Sequence, residues 1–199
     1  HINPPQNPKQ QCLGIPTFDT ESLVLDPESF KEVKHGEHGE IVVRGPQLLT
    51  GYWKNEKAYR ESWCEVAGRK FFRTGDLGRT DEDGYFYISD RLKRMINAAG
   101  LKVWPAEVEA AMYRHPAIKE CCIIASPDER KGETVKMVAV LKEDFRGKVT
   151  GDEILSWSRS QMAVYKAPRL IEFTDALPRT ASGKLMWRAL QEKEFRAKV

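Results

Sequence analysis

The sequence has few cysteines, no long apolar run and almost no excess charge of either sign. Its four cysteines in 199 residues form no CxxC pair, so we expect reduced, structural thiols, with Cys121 and Cys122 inside a strand. No run of about 18 apolar residues and no signal-peptide pattern occurs, so we expect no membrane span and a cytoplasmic protein. A net charge of +3 is too small to indicate a nucleic-acid-binding protein.

Common catalytic signatures are also missing. The chain has no GxxxxGK(S/T) phosphate loop, no GxGxxG, no HExxH and no GxSxG, which argues against P-loop enzymes, dinucleotide-binding folds, zinc peptidases and α/β-hydrolases. His35 and His38 have the spacing of a metal-binding pair, but no cysteine lies near them. A solvated loop explains them equally well, and from the usual ligand patterns we predict no metal site formed by this chain.

The composition that remains is typical of a globular protein with one large or two small domains, with 41% hydrophobic and 31% charged residues. Residues 1–89 carry 11 Lys and Arg against 14 Asp and Glu, whereas residues 90–199 carry 21 against 15. A basic second half is typical of a domain that meets an anionic ligand, although a solvated surface of mixed charge explains it equally well. The first residue is His1, which suggests a piece of a longer protein.

Apolar periodicity and turn residues predict an α+β chain. Residues 1–89 read as the β-rich end of a larger domain, with strands at residues 23–25, 40–44, 70–74 and 85–88. Residues 90–199 read as a small α+β domain. Its predicted strands are residues 118–125, 135–141 and 170–173. Its first two predicted helices are residues 105–114 and residues 150–162, and the second of these has a capping-box pattern at its start. A last helix is predicted to begin at Ser182 as its cap and to turn Met186, Ala189 and Leu190 inward.

Three polar segments carry side chains suited to an anionic or sugar-containing ligand. Asp76 follows a predicted strand and lies beside Gly75, so its carboxylate could accept hydrogen bonds from a ribose diol, or could simply stabilise a turn. Arg91, near the junction of the two halves, suits a sugar or phosphate and equally an interdomain salt bridge. Lys184 ends a polar loop and is either a movable charge for a carboxylate or phosphate oxygen, or a solvated lysine near a helix start.

Taken in order, these segments resemble the adenylate-forming superfamily of acyl-CoA synthetases, luciferases and nonribosomal adenylation domains. The matching stretches are Gly39-Glu40-Ile41-Val42-Val43-Arg44-Gly45-Pro46, Gly51-Tyr52-Trp53, Arg73-Thr74-Gly75-Asp76-Leu77, Asp83-Gly84-Tyr85-Phe86, Asp90-Arg91-Leu92-Lys93, Pro105-Ala106-Glu107-Val108-Glu109 and Leu177-Pro178-Arg179-Thr180-Ala181-Ser182-Gly183-Lys184. Each is weak alone, but the set is collinear over nearly the whole chain. The match is to the last third of the family's sequence, which places the family's phosphate loop upstream of His1.

The resemblance implies roles for individual residues. Asp76 would bind the ribose hydroxyls of ATP and AMP with Arg91 as its partner, and Lys93 would be the hinge about which residues 90–199 rotate. Lys184 would be the catalytic lysine that reaches the acid carboxylate and the α-phosphate. The residues implied at the CoA site are Ala98, Ala99 and Gly100, joined by Arg130 and Lys166 on grounds of position and charge. Relatives usually carry Gly or Ser in place of the two alanines.

The implied activity of the whole protein is that of an acid–CoA ligase. It would convert an acid, best matched by a fatty acid, with ATP, CoA and Mg²⁺ into acyl-CoA, AMP and pyrophosphate. Its partners would be these small molecules and its own large domain, and no nucleic acid. We expect the chain alone to be inactive. The alternatives are an enzyme that serves a carrier protein, a luciferase-like enzyme, and a stand-alone binding module without catalysis.

Overall fold

The computed structural model describes residues 1–130 and 132–197, which fall into two compact units, His1–Lys93 and Arg94–Val199. Each unit contains a five-stranded sheet. Helices are concentrated in the second unit, so the predicted α+β class is confirmed. Nowhere in the described residues is a helix long and apolar enough to span a lipid bilayer.

The first unit consists of five strands and one short helix. Their bounds are β1 Glu21–Leu25, β2 Gly39–Arg44, α1 Glu56–Glu61, β3 Trp63–Val66, β4 Arg69–Thr80 and β5 Phe86–Arg91. The four strands predicted from the sequence are confirmed. The sequence did not predict α1 and β3, because α1 has no buried residue and so no apolar face, and the sequence of β3 does not alternate between apolar and polar residues.

Strand β4 organises the first sheet. It pairs antiparallel with β2 along one edge, while β3 and β5 share its other edge. On that shared edge, β3 faces residues 69–72 and β5 faces residues 76–80. Ile41 and Val42 of β2 point to opposite faces, so each face of the sheet has its own apolar cluster.

Asp76 lies within β4, so the prediction that this strand ends before it is wrong. The backbone changes direction at Gly75, whose φ of +70° is costly for a residue with a side chain. The strand continues through this point because β5 takes over the pairing that β3 leaves. From the sequence alone, such a bend is not distinguished from a turn that ends a strand. In the structure the strand continues through the bend, so Asp76 lies on a rigid sheet.

The second unit is a sheet covered by helices on both faces. Its elements are β6 Ile96–Ala98, β7 Leu101–Val103, α2 Pro105–Met112, β8 Ile118–Asp128, β9 Gly132–Leu141, α3 Gly151–Gln161, β10 Leu170–Phe173 and α4 Trp187–Ala197. Strand β9 is central, antiparallel to β8 and β6 and parallel to β10. The three predicted strands, the helix at residue 105 and the capped helix at Thr150 are confirmed, whereas the hairpin of β6 and β7 was not predicted.

Cys121 and Cys122 mark the two faces of β8. Cys121 belongs to the large cluster beneath α2 and α3, and Cys122 belongs to the cluster beneath α4. Since neighbouring strand residues point to opposite faces, a strand buried on both sides reads as a continuous apolar run. All four cysteines lie among the described residues and none forms a disulfide, so the prediction of structural strand cysteines is confirmed for this pair.

The last helix begins at Trp187 and not at Ser182, so that prediction is wrong. Residues 178–185 close into a small loop instead, and the hydroxyl of Ser182 lies 2.9 Å from that of Thr180. Leu190 packs on the sheet as expected, but Met186 and Ala189 are exposed.

Candidate functional site

Asp76 and Arg91 face each other across strands β4 and β5. The Nε of Arg91 lies 2.7 Å from Oδ1 of Asp76 in an ion pair, with the arginine side chain 63% exposed and the aspartate side chain 21% exposed. Burial raises the pKa of the Asp76 carboxyl above its ordinary value, against the lowering effect of the Arg91 charge. The pair offers an acceptor and a cation side by side at the surface of the first unit.

A buried carboxylate supports the backbone from which Asp76 projects. Glu40 is 1% exposed, and its Oε2 accepts from Nε and Nη2 of Arg73 at 3.0 and 2.7 Å. Its Oε1 accepts the N–H of Gly75 at 3.1 Å. The hydroxyl of Thr74 accepts the N–H of Asp76 at 3.0 Å. Three consecutive residues before Asp76 are therefore held by specific contacts.

Lys93 is exposed in a short 3₁₀ turn, Leu92–Arg94, and is the last residue of the first unit. The next residue, Arg94, is anchored inside the second unit, where its Nη2 donates to Oε1 of Glu109 at 2.5 Å. The same Oε1 accepts the N–H of Ile123 at 2.8 Å. The chain is thus fixed immediately after Lys93, and the role of Lys93 as a hinge stays a prediction.

The turn between β6 and β7 carries Ala99 and Gly100 at its tip. Ala98 is 9% exposed and its methyl belongs to the core of the second unit, whereas Ala99 is exposed with a φ of +56°. Ala98 pairs with Gly132, two residues beyond Arg130. The turn that carries Arg130 therefore adjoins the β6–β7 turn at one end of the sheet.

Lys166 follows α3 and contacts the start of α2. Its Nζ donates to Oε1 of Glu107 at 2.6 Å, and this hydrogen bond raises the pKa of Lys166. The two residues line a cavity of about 340 Å³ together with Arg114. An anion bound there would meet two cations, but it would compete with Glu107 for Lys166.

Lys184 lies on a loop whose backbone is closed by hydrogen bonds. The N–H of Thr180 donates to the carbonyl of Lys184 at 2.8 Å, and the N–H of Gly183 donates to the carbonyl of Thr180 at 2.8 Å. The N–H of Lys184 donates to the Thr180 hydroxyl at 3.1 Å. The ammonium of Lys184 is exposed and has no ion-pair or hydrogen-bond partner within residues 1–130 and 132–197. Its charge is available to a ligand.

The structure brings Asp76 and Arg91 together and places Lys184 in the other unit. Sequence reasoning assigned no function to Glu40 or to the contact between Arg179 and Glu120. A glutamate inside an apolar strand predicts a buried, paired carboxylate, so Glu40 could have been found. No sequence signal links Arg179 to Glu120, which are 59 positions apart.

Two family descriptions match the chain. Residues 1–53 match the AMP-binding enzyme family, and residues 107–184 match the AMP-binding enzyme C-terminal domain. The second match contains the loop of Lys184 and the cavity beside Lys166. The stretch that holds Asp76 and Arg91 lies between the two matches.

Curated proteins and a solved structure resemble the chain over most of its length. It is 43% identical to feruloyl-CoA synthase of Amycolatopsis sp over 87% of the chain and 34% of that protein. It is 40% identical to a long-chain-fatty-acid–CoA ligase of Bacillus subtilis (strain 168) over 94% of the chain and 32% of that protein. The ATP-bound MatB structure from Rhodopseudomonas palustris superposes with a TM-score of 0.83 at 31% identity, covering 96% of the chain and 37% of MatB. The chain spans about a third of the length of these curated relatives.

Proposed function

The chain belongs to the AMP-binding enzyme family, and we propose that it supplies the carboxyl-terminal part of an ATP-dependent acid–CoA ligase. The enzyme joins the carboxylate of an acid to the α-phosphate of ATP and releases pyrophosphate. It then transfers the acyl group to the thiol of CoA and releases AMP. Two relatives carry names of CoA-dependent enzymes, and the similar MatB structure binds ATP, which supports this reaction class.

The observation that carries the proposal is the ammonium of Lys184, which has no partner among the described residues and lies on a hydrogen-bonded loop. Adenylation brings a carboxylate towards a triphosphate, so two anions must approach each other. A cation held at the reacting oxygens stabilises the negative charge of that transition state. Loss of a comparable preorganised donor costs about 10²–10³ in rate, which makes Lys184 the first catalytic residue to test.

Asp76 and Arg91 hold the ribose of the nucleotide in this proposal. Oδ1 of Asp76 lies 2.7 Å from Nε of Arg91 in an ion pair, while Oδ2 accepts no hydrogen bond from the residues that the structure describes. That oxygen can accept a ribose hydroxyl without breaking the ion pair. The exposed guanidinium of Arg91 then lies beside the sugar, where it can donate to a hydroxyl or a phosphate oxygen.

The second half-reaction uses other parts of the second unit. We infer that this unit rotates about Lys93 after adenylation and withdraws Lys184. The turn at Ala98–Gly100 then lines the path of the pantetheine thiol, with Arg130 and Lys166 towards the CoA nucleotide. Because the methyl of Ala98 points into the core, only Ala99 adds bulk to the outside of this turn.

Magnesium enters with the ATP. Within the described part of the chain, no three His, Cys, Asp or Glu side chains are grouped as metal ligands. Mg²⁺ commonly binds through substrate phosphates and water, so it would reach the site bound to the phosphates of ATP. The acid is proposed to be a fatty acid, with an aromatic acid as the alternative, since the two named relatives represent both classes.

The test is pyrophosphate–ATP exchange by the full-length protein with a long-chain fatty acid or with ferulate. Lys184→Ala lowers exchange by about 10²–10³, whereas Lys148→Ala, which removes another exposed lysine of the same unit, leaves it unchanged. The 199-residue chain alone gives background exchange. Absence of exchange with every acid would contradict the proposal. Exchange without acyl-CoA formation would favour a carrier-protein or luciferase-like acceptor reaction.

A further inference from the structure

Arg179 contacts the loop of Lys184 and the sheet at the same time. Its Nη1 donates to the carbonyl of Gly183 at 2.8 Å, and its Nη2 donates to Oε2 of Glu120 at 2.8 Å. Glu120 lies on β8, the strand that carries the core of the second unit. One guanidinium therefore ties the residue immediately before Lys184 to the rigid sheet.

The two ends of the loop are held separately from this contact. Leu177 is buried, and Leu185 packs against the same apolar cluster beneath α4. The N–H of Met186 donates to the carbonyl of Pro178 at 2.8 Å. Packing and backbone pairing therefore fix both ends of the loop. Between the described residues, the side chain of Arg179 joins the tip of the loop to β8.

We propose that Arg179 and Glu120 are positioning residues that hold the backbone at Gly183 so that Lys184 reaches its reacting oxygens. This inference rests on the proposed function of Lys184. A fixed backbone spares the reaction the entropy of ordering the loop in each cycle. Glu120 also neutralises the charge of Arg179, so that Arg179 does not draw the substrate anion away from Lys184.

The fork of an arginine is essential to this arrangement. A guanidinium presents several donors in one plane and can reach two acceptors at once, whereas a lysine is a single point charge. Arg179→Lys keeps the attraction to Glu120 but cannot hold the Gly183 carbonyl together with the carboxylate. Glu120→Gln keeps an acceptor for Arg179 but removes the charge.

Loop order can be measured in the 199-residue chain itself. We expect Arg179→Ala to accelerate amide hydrogen exchange at Gly183 and Lys184, and Lys-C cleavage after Lys184, by about tenfold, from the loss of a charged hydrogen bond and a partly exposed ion pair. The matched control is Arg146→Ala, which removes the exposed pair of Arg146 with Asp175 in the same unit. Equal rates in the two variants would overturn the proposal.

The positioning role is tested by separating the two half-reactions in the full-length protein. Arg179→Ala and Arg179→Lys are expected to lower kcat of adenylation by about tenfold with KM for the acid unchanged. Thioester formation from supplied acyl-adenylate should not change, because Lys184 does not act in that step. Equal loss in both half-reactions would indicate general damage and would overturn the inference, as would wild-type adenylation in Arg179→Lys.

Lys184→Ala distinguishes failure of this inference from failure of the proposed function. If Lys184→Ala adenylates at the wild-type rate, the proposed role of Lys184 is wrong and the positioning role falls with it. If Lys184→Ala is slow but Arg179→Ala adenylates as Arg146→Ala does, only the positioning role is wrong. If both are slow in adenylation alone, both proposals are supported.

Discussion

The carboxylate of Glu40 accepts the backbone N–H of Gly75 at 3.1 Å, one residue before the proposed ribose-binding Asp76. The other carboxylate oxygen holds the guanidinium of Arg73. Glu40 is on β2 and the other three residues are on β4, so the contact joins two strands at the point where β4 bends. The bend that presents Asp76 is therefore built from a buried charge pair.

Glu40→Ala should lower the free energy of unfolding of the first unit by about 3 kcal/mol. Removing one partner of a buried pair leaves the other charge without compensation, at a cost of about 3–5 kcal/mol. Because Arg73 is partly exposed to solvent, we expect a loss at the low end of this range. The measurement is urea unfolding followed by the amide signals of β2 and β4. Glu21→Ala, which breaks exposed pairs with Arg44 and Arg69, should cost less than about 1 kcal/mol. Equal losses would contradict the buried-pair account.

Local patterns were sufficient for much of the fold. The capping box at Thr150 and Pro105 at a helix start fix their helices through contacts within one turn, and both helices were predicted. Strands β8 and β9 are long and apolar enough to be recognised without their neighbours. The three-residue strands β6 and β7 exist because the sheet pairs with them, and no local period reveals them.

The sequence predicted the candidate site residues near the surface, but it did not predict the contacts beneath them. Arg91 and Lys184 are exposed and Asp76 is half-buried, and all three lie in recognisable motifs, so the sequence could name them as candidates. The start of the last helix was misplaced because the loop bonds between Thr180 and Lys184 satisfy the backbone before the helix begins. The contact of Arg179 with Glu120 depends on β8 and the loop meeting in space, which local spacing does not encode.

The two neighbouring alanines of the β6–β7 turn should respond in opposite directions to glycine. Ala99 has a φ of +56°, a conformation that costs a residue with a side chain about 1–2 kcal/mol, so Ala99→Gly should stabilise the second unit by about 0.5–1 kcal/mol after the entropy of glycine. Ala98 has its methyl in the core, so Ala98→Gly should destabilise it by about 1–2 kcal/mol. Urea unfolding of the second unit measures both, and changes of the same sign would contradict this account.

Asp76→Asn should weaken nucleotide binding by the full-length protein. The substitution keeps the side-chain shape but removes the charge that Arg91 and a ribose hydroxyl share, and hydrogen bonds to charged groups contribute about 1.5–3 kcal/mol. We expect KM for ATP to rise by at least about tenfold with KM for the acid unchanged. Asp175→Asn, at a carboxylate that is 97% exposed, is the matched control. An unchanged KM for ATP in Asp76→Asn would contradict a ribose role.

We expect His115 to make the stability of the second unit depend on pH. It is 8% exposed, and its ring meets Trp157 edge to face at 4.8 Å between centroids. Its Nδ1 accepts the N–H of Ala117 at 3.2 Å. Burial lowers the pKa of His115 below its ordinary value of 6.5, and protonation at Nδ1 would remove the acceptor that Ala117 uses.

The unfolded chain binds the proton of His115 at a higher pH than the folded unit does, so the free energy of unfolding falls as the pH falls. As pH falls below 6.5, the unfolded chain protonates His115 while the folded unit still excludes the proton, so the free energy of unfolding falls until the lower folded pKa is reached. Unfolding in urea at about pH 7.5 and about pH 5 measures this loss.

His115→Asn should reduce the difference in the free energy of unfolding between the two pH values. The variant should be less stable at both because the contact with Trp157 is lost. His35→Asn, at an exposed ring beside Thr80, should leave the pH dependence of the second unit unchanged. A wild-type pH dependence in His115→Asn would show that burial of this ring is not its source.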